Sequence, residues 1–330
     1  MKQGYEKYIP FECVELENRR WPSNKIQRHP IWCSVDLRDG NQALVDPMNL
    51  EEKLEMFKAL CDIGVKEIEV GFPSASETEY EILRALIDGN HIPEDVTIQV
   101  LVQAREHLIR KTFEAVRGAK NVIVHFYNST SKLQRKVVFK KDMAGIIDIA
   151  VTGARLIKQL GDEAREHYGM NVRYEYSPES FMGTESDYAV EICAQVLKAL
   201  EADKDHKVIL NLPSTVESST PNCFADQVEY FCTHLPERNA AIISLHPHND
   251  RGTAVATAEL GLLAGAERIE GTLFGNGERT GNVDLITLAL NMFTQAIDPG
   301  LKLKDINRVR EVYERTTKMV VPPRHPHVGE

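Results

Sequence analysis

The sequence predicts an α/β fold: a closed (β/α)8 TIM barrel with an N-terminal extended arm and a short C-terminal helical extension. Short β-rich runs alternate with segments whose apolar residues recur at helical spacing, which implies parallel strands joined by right-handed crossovers. Eight such runs fall between residues 31 and 274. That count and span select a closed barrel over an open doubly wound sheet, the structural alternative. Polar residues gather at the ends of these runs, where a barrel of this kind carries its chemistry.

Residues 1–30 read as the arm, with Pro10, Pro22 and Pro30, mixed charge and no sustained period. Such an arm is either unstructured or packed on a partner subunit, and the sequence does not choose. The strand candidates are Ile31–Asp36, Val65–Gly71, Thr97–Val102, Asn121–Tyr127, Val172–Ser177, Lys207–Leu212, Ala241–His246 and Arg268–Phe274. Among the helical segments, Leu50 to Leu60 and Ala254 to Leu263 have the clearest spacing, the second ending near Gly265. A last helix is expected over Leu303 to Val320, broken at Pro322-Pro323. The expected organisation is an arm over 1–30, a catalytic barrel over 31–300, and the start of a C-terminal linker or subdomain over 301–330.

The chain has 330 residues, 42% hydrophobic and 27% charged, enough for one large or two ordinary domains. Its net charge of −10 argues against nucleic acid or an anionic membrane as the main partner. Cys13, Cys33, Cys61, Cys193, Cys223 and Cys232 include no C-x-x-C pair, and their scatter fits reduced thiols in the cytoplasm. The first 30 residues lack the apolar core of a secretory signal, and no run approaches a membrane span.

The most informative motif is His246-Pro-His248-Asn-Asp250, at the end of the apolar run Ala241 to Leu245. Residues i and i+2 of a strand share a face, so the two imidazoles form half of a divalent-metal site. Strand 8 lies between strands 7 and 1 in a closed barrel. Asp39, His246, His248 and Asn282 can therefore converge. One carboxylate, two imidazoles and an amide oxygen suit Zn, Mn, Mg or Co. The plainer readings are a turn aspartate before Gly40, two loop histidines, and a cap for a helix beginning near Val283.

Other polar residues also sit at strand ends: Arg38 after strand 1, Glu69 on strand 2, His125 on strand 4, Ser177 and Glu179 on strand 5, and Asn211, Pro213 and Thr215 on strand 6. Arg38 beside a metal would hold a carboxylate or polarise a carbonyl; the plainer reading is an ion pair with Asp36 or Glu69. Glu179 would accept a proton or orient a ligand. Gly275-x-Gly277 lacks dinucleotide spacing and is read as letting backbone approach a ligand closely. Arg135-Lys136 and Lys140-Lys141 are read as a solvated face. His325-Pro-His327 lies in a proline-rich tail and is discounted as a site.

Asp36-Leu-Arg38-Asp39-Gly40-Asn-Gln42, Glu69-Val-Gly-Phe-Pro73, His246-Pro-His248-Asn-Asp250 and Gly275-Asn-Gly-Glu-Arg-Thr-Gly-Asn282 together resemble the signatures of the 2-isopropylmalate synthases. These belong to the DRE-TIM metallolyase superfamily, with homocitrate and citramalate synthases and hydroxymethylglutaryl-CoA lyase. Arg20-Trp-Pro22 and Trp32-Cys-Ser-Val-Asp36 resemble the longer branch of these synthases.

The resemblance implies an acyltransferase. Acetyl-CoA condenses with 2-oxoisovalerate, and thioester hydrolysis gives 2-isopropylmalate, the first committed step to leucine. It implies metal ligation by Asp39, His246, His248 and, near substrate, Asn282. It implies catalytic roles for Arg38, Glu179 and His125, and an oxo-acid pocket of Arg38, Leu101, His125, Ser177, Asn211, Pro213 and Thr215. A cytoplasmic homodimer is expected. Members of the family continue past residue 330 into a subdomain that completes the partner's site and a leucine-binding domain. The segment from Pro322 looks like the entry to that subdomain, so a truncated catalytic domain is expected. The alternatives are a homocitrate or citramalate synthase, or a barrel that binds metal and oxo acid without turnover.

Overall fold

In the computed structural model, residues 4–329 are described. Residues 1–3 of the expected arm and residue 330 of the expected extension lie outside the described residues. Eight parallel strands close in sequence order: β1 (Ile31–Ser34), β2 (Glu67–Gly71), β3 (Thr97–Gln103), β4 (Asn121–Ser129), β5 (Asn171–Glu179), β6 (Val208–Ser214), β7 (Ala241–Pro247) and β8 (Arg268–Gly271). Ile31 lies opposite Arg268 and Ser34 opposite Gly271, which shuts the cylinder. One long helix follows each strand: α1 (Leu50–Ile63), α2 (Glu77–Asp88), α3 (Glu106–Ala115), α4 (Met143–Tyr168), α5 (Ser186–Ala199), α6 (Pro221–His234), α7 (Ala254–Leu263) and α8 (Leu285–Thr294). A ninth, α9 (Ile306–Thr317), follows the barrel.

The helices start and stop where local chemistry dictates. In α1, the Asn49 side chain accepts from the Glu52 amide, and the Glu52 carboxylate accepts from the Asn49 amide. Gly64, at φ 98°, ends the helix in the left-handed conformation. The face between, with Met56, Phe57, Leu60 and Ile63, is buried. Asn49→Ala should lower stability by about 1 kcal/mol through loss of this cap. Chemical denaturation checks this, and an unchanged midpoint would show that the cap is dispensable.

The strands divide two kinds of residue between two faces. Ile68, Val70, Ile98, Val100, Val122, Val124, Phe126, Tyr174, Tyr176, Leu210, Ile243 and Leu245 are buried in the core cluster beneath the helices. The alternate positions, facing into the barrel, hold Glu67, Glu69, Gln99, His125, Glu175, Ser177, Asn211, Ser244, His246, Arg268 and Glu270, all buried. The inside of this barrel is thus largely a polar network, with Leu101, Ile123 and Ile209 sharing the same inward face, where such barrels usually stack layers of branched apolar side chains.

Two strands end before the limits expected of them, β1 and β8. β1 stops at Ser34 because Ser34 Oγ both donates to Asp36 Oδ2 (2.7 Å) and accepts from the Asp36 amide (3.2 Å). Residues Asp36–Gly40 then coil into a π-helical turn. β8 stops at Gly271, and Leu273–Gly275 make a 3-10 turn. There the Leu273 amide donates to the Asp36 carboxylate (3.0 and 3.1 Å).

The arm packs on the chain's own barrel. Arg19 forks onto Asp226 (2.6 and 2.7 Å) in α6, and Trp21 Nε1 donates to the same carboxylate (2.8 Å). Cys13 is joined to Cys223 in a disulfide, with Cα atoms 5.2 Å apart. This corrects the expectation of six reduced thiols: a separation of 210 residues conceals a pairing made by the arm's course across α6. Cys33, Cys61, Cys193 and Cys232 are free.

The expected last helix is trimmed to α9 by its Asp305 cap and by Lys318 at φ 58°. His325 Nε2 lies 3.0 Å from Asp284 Oδ2, and His327 Nε2 lies 3.1 Å from Asn291 Oδ1. This second H-x-H pair therefore docks the tail on α8. Among the described residues, no helix is long and apolar enough to cross a membrane.

Candidate functional site

The site lies where the C-terminal ends of β7, β8 and β1 meet. The π-helical turn after β1 sets Arg38 and Asp39 side by side, with Arg38 Nη1 2.9 Å from Asp39 Oδ1. Arg38 Nε also donates to Glu69 Oε1 of β2. The ion pair anticipated with Glu69 is thus present, and it anchors the guanidinium beside Asp39. β7 delivers His246, whose Nε2 lies 3.3 Å from Asp39 Oδ2. His248 Nε2 lies 3.7 Å from the same oxygen.

Asn282 arrives by a separate device. The loop after β8 folds back and pairs with the β7 exit: the Asn249 amide donates to Gly281 O (2.9 Å) and the Val283 amide to Pro247 O (2.9 Å). His248 and Asn282 become an antiparallel bridge. Gly281 sits at φ 103°, and a Cβ there would overlap the Gly275 carbonyl. A Cβ at Gly277 would meet the Asn282 side chain. Those glycines let the loop close on itself around Asn282. Asn282 is not a helix cap, because Asp284 holds that position and accepts from the Ile286 amide (2.9 Å).

The donors fit a divalent cation. Asp39, His246 and His248 each offer a ligand atom, all within 4.8 Å of one another. Asn282 Nδ2 donates to Asn276 O (3.2 Å), which leaves Oδ1 buried and without a partner; His248 Nδ1 is likewise buried and unpartnered. His246 Nδ1 is 2.8 Å from Glu270 Oε2, a pairing that turns Nε2 toward Asp39.

The electrostatics agree. Burial alone would raise the Asp39 carboxyl, but Arg38 and the two imidazoles outweigh it and hold the group far below the usual range. Burial opposes charge on His246, yet hydrogen bonds to Asp39 and Glu270 push it up to about 9. Burial and then the neighbouring His246 depress His248 to about 4. One ring thus carries a proton in the place a cation would take, and the other is already neutral.

The chain's family follows from comparison with known proteins. The HMGL-like family profile matches residues 29–312. The chain belongs to the HMGL-like family. A 2-isopropylmalate synthase of Clostridium acetobutylicum is 59% identical over 326 residues, covering 99% of this chain and 58% of that protein. One from Rhodospirillum rubrum is 60% identical over 325 residues, covering 98% of this chain and 58% of that protein. The chain therefore spans 58% of the length of these curated relatives. A hydroxymethylglutaryl-CoA lyase from Pseudomonas aeruginosa superposes with a TM-score of 0.69 at 16% identity, covering 90% of this chain and 95% of that one, and shares the fold.

Within this HMGL-like barrel, His125, Ser177 and Asn211 of the expected oxo-acid residues form a second group beside the Asp39, His246 and His248 cluster. His125 Nδ1 is 2.8 Å from Glu69 Oε2, and its Nε2 is 2.7 Å from Ser177 Oγ. With Nδ1–H given to Glu69, Nε2 accepts from the serine hydroxyl. Asn211 Nδ2 donates to Ser177 Oγ (3.1 Å) and to Glu270 Oε2 (3.2 Å), leaving Asn211 Oδ1 buried and unpartnered. Leu101 lies opposite His125 in register, and Pro213 opposite His246. Thr215 Oγ1 accepts from the Ser180 amide (3.1 Å), so its hydroxyl already serves the β5 exit.

Glu179 stands apart from this network. It continues the inward alternation of β5 past Ser177, its Oε1 accepts from Ser180 Oγ (3.4 Å), and burial raises its pKa. Arg135 departs from the expected solvated face: it is buried, forks onto Glu185 (2.8 and 2.7 Å) and lies 4.8 Å over the Tyr188 ring. Lys136, Lys140 and Lys141 are exposed as expected.

Sequence reasoning missed the layer beneath the site. Arg268 donates to Glu67 (2.6 Å), Ser244 (2.8 Å), Glu270 (2.9 Å) and Gln99 (2.7 Å). Burial drives Glu175 well up, and its neighbour Glu270 adds to this against Arg268. Glu270 is held low against its burial by Arg268 and His246. Of two adjacent carboxyls, Glu175 keeps its proton and Glu270 stays ionised. The signal was available: Glu175 and Ser244 precede Ser177 and His246 by two residues, and Arg268 and Glu270 share one face of β8.

Proposed function

We propose that this chain is the catalytic barrel of a 2-isopropylmalate synthase, which joins acetyl-CoA to 2-oxoisovalerate and hydrolyses the thioester. The carrying observation is the convergence of Asp39, His246 and His248 with the unpartnered Asn282 Oδ1 beside it. Support comes from relatives of that name at 59–60% identity.

A bound divalent cation would be held by these residues and would supply Lewis-acid polarisation of the keto oxygen. Arg38, fixed by Glu69 and Asp39, offers its remaining N–H donors to the substrate's carboxylate or to the oxygen that gains charge. Glu179, with its raised pKa and few partners, is placed to accept the acetyl methyl proton. The resulting carbanion bonds to the keto carbon, the keto oxygen takes up a proton, and water then cleaves the thioester to release coenzyme A as thiol. His125, Ser177 and Asn211 orient the oxo acid, and Leu101 and Pro213 give its isopropyl group an apolar wall. Selection by that wall is worth about 1–3 kcal/mol per methylene. A homodimer belongs to the same proposal, and sedimentation of the purified chain tests it.

Thiol release from acetyl-CoA, compared for 2-oxoisovalerate, pyruvate and 2-oxoglutarate, tests the substrate. The expected preference is 2-oxoisovalerate; preference for either other acid overturns the choice. Arg38→Ala should weaken 2-oxoisovalerate binding by roughly 10–100-fold, the value of a charge-assisted contact, while metal affinity persists. Calorimetry in the presence of Mn2+ reads both quantities, and undiminished oxo-acid affinity would remove the role given to Arg38.

A further inference from the structure

Beneath the site lies a second set of close donor atoms. Glu69, His125 and Glu270 each present a ligand atom within 4.8 Å of the others. Two carboxylates and an imidazole so placed have the geometry to hold a cation. Here a neutral side chain stands between them. Gln99 Nε2 donates to Glu69 Oε2 (2.8 Å) and to Glu270 Oε1 (2.8 Å). Its third neighbour, His125 Nδ1 at 3.3 Å, already gives its hydrogen to Glu69. Gln99 Oε1 accepts from Arg268 Nη2 (2.7 Å), so the amide cannot flip without facing N–H with N–H and oxygen with oxygen. Gln99 is fully buried.

Each carboxylate that Gln99 holds has a second task. Glu270 sets the ring of His246, and Glu69 sets both His125 and Arg38. We infer that Gln99 is a positioning residue: its amide spaces Glu69 and Glu270 as a second cation would, and so fixes the metal-side His246 and the oxo-acid-side His125 and Arg38 relative to one another. No other described side chain hydrogen-bonds both Glu69 and Glu270. This inference rests on the metal reading of Asp39, His246 and His248.

Cobalt titration tests it, because Co2+ reports affinity and ligand geometry together through its visible bands. The wild type should bind one Co2+ per chain. Gln99→Leu, which keeps the volume and removes the donors, should lower Co2+ affinity by roughly 10–100-fold, the range for outer partners of a metal-binding histidine. It should also shift the cobalt bands and weaken 2-oxoisovalerate binding to the cobalt form. Should the leucine variant fail to fold, Gln99→Glu keeps the shape and one acceptor for Arg268. It should show the same loss of affinity and altered bands. A purely structural role would lower thermal stability and leave the bands of the folded protein unchanged. Wild-type affinity and spectrum in whichever variant folds overturn this inference alone. A wild type that takes up no cobalt overturns the metal reading and this inference with it.

Discussion

Arg268→Met should lower the unfolding free energy by about 3–5 kcal/mol, the largest stability effect expected of a single substitution here. Methionine fills much the same volume, so the loss is electrostatic. Arg268 has no exposed side-chain surface, and its guanidinium meets Glu67, Glu270, Ser244 and Gln99. Glu175 is kept neutral by burial, but Glu67 and Glu270 are ionised, held low against their burial chiefly by Arg268. Removing the cation leaves two buried carboxylates without their shared partner, with Arg173 still beside Glu67 and the His246 ring still beside Glu270. Urea denaturation at neutral pH measures the loss. A change under about 1 kcal/mol would show that the interior charges are far better solvated than their burial implies.

His246→Ala should abolish metal-dependent binding of 2-oxoisovalerate, a loss beyond the roughly 10–100-fold of an outer-partner mutation. The ring is donor and hinge at once: Nδ1 is tied to Glu270 and Nε2 faces Asp39. Alanine would remove the proposed nitrogen ligand, while Glu270 stays held by Gln99, Arg268 and Asn211. Asp39→Ala should match it, since Asp39 Oδ2 faces both imidazoles. Titrations with and without Mn2+ distinguish the outcomes. Oxo-acid affinity that stays metal-dependent in both variants would exclude these residues as ligands.

The legible part of this molecule was whatever repeats with a strand's period of two. His246 and His248, Ser177 and Glu179, and Asn211 and Thr215 declared a shared face, and closure of the sheet brought Asp39 to the first pair. What stayed hidden depends on contacts between distant segments. The shortening of β8 rests on Asp36 receiving the Leu273 amide, 237 positions away. The course of the arm rests on Asp226 and Cys223. Glu175, Arg268 and Gln99 escaped for another reason. A polar residue amid an apolar run reads as a strand edge unless its partners are known, and those partners come from other strands. Burying such groups is tolerable only when they are paired or, like Glu175, kept neutral.

Anomalous diffraction from crystals grown with Mn2+ tests the central claim most directly. The account predicts one strong peak about 2.0–2.2 Å from Asp39, His246 and His248 donor atoms, with Asn282 Oδ1 turned toward it. A peak elsewhere in the barrel, or none at saturating Mn2+ with Asp39 still facing both rings, would contradict it.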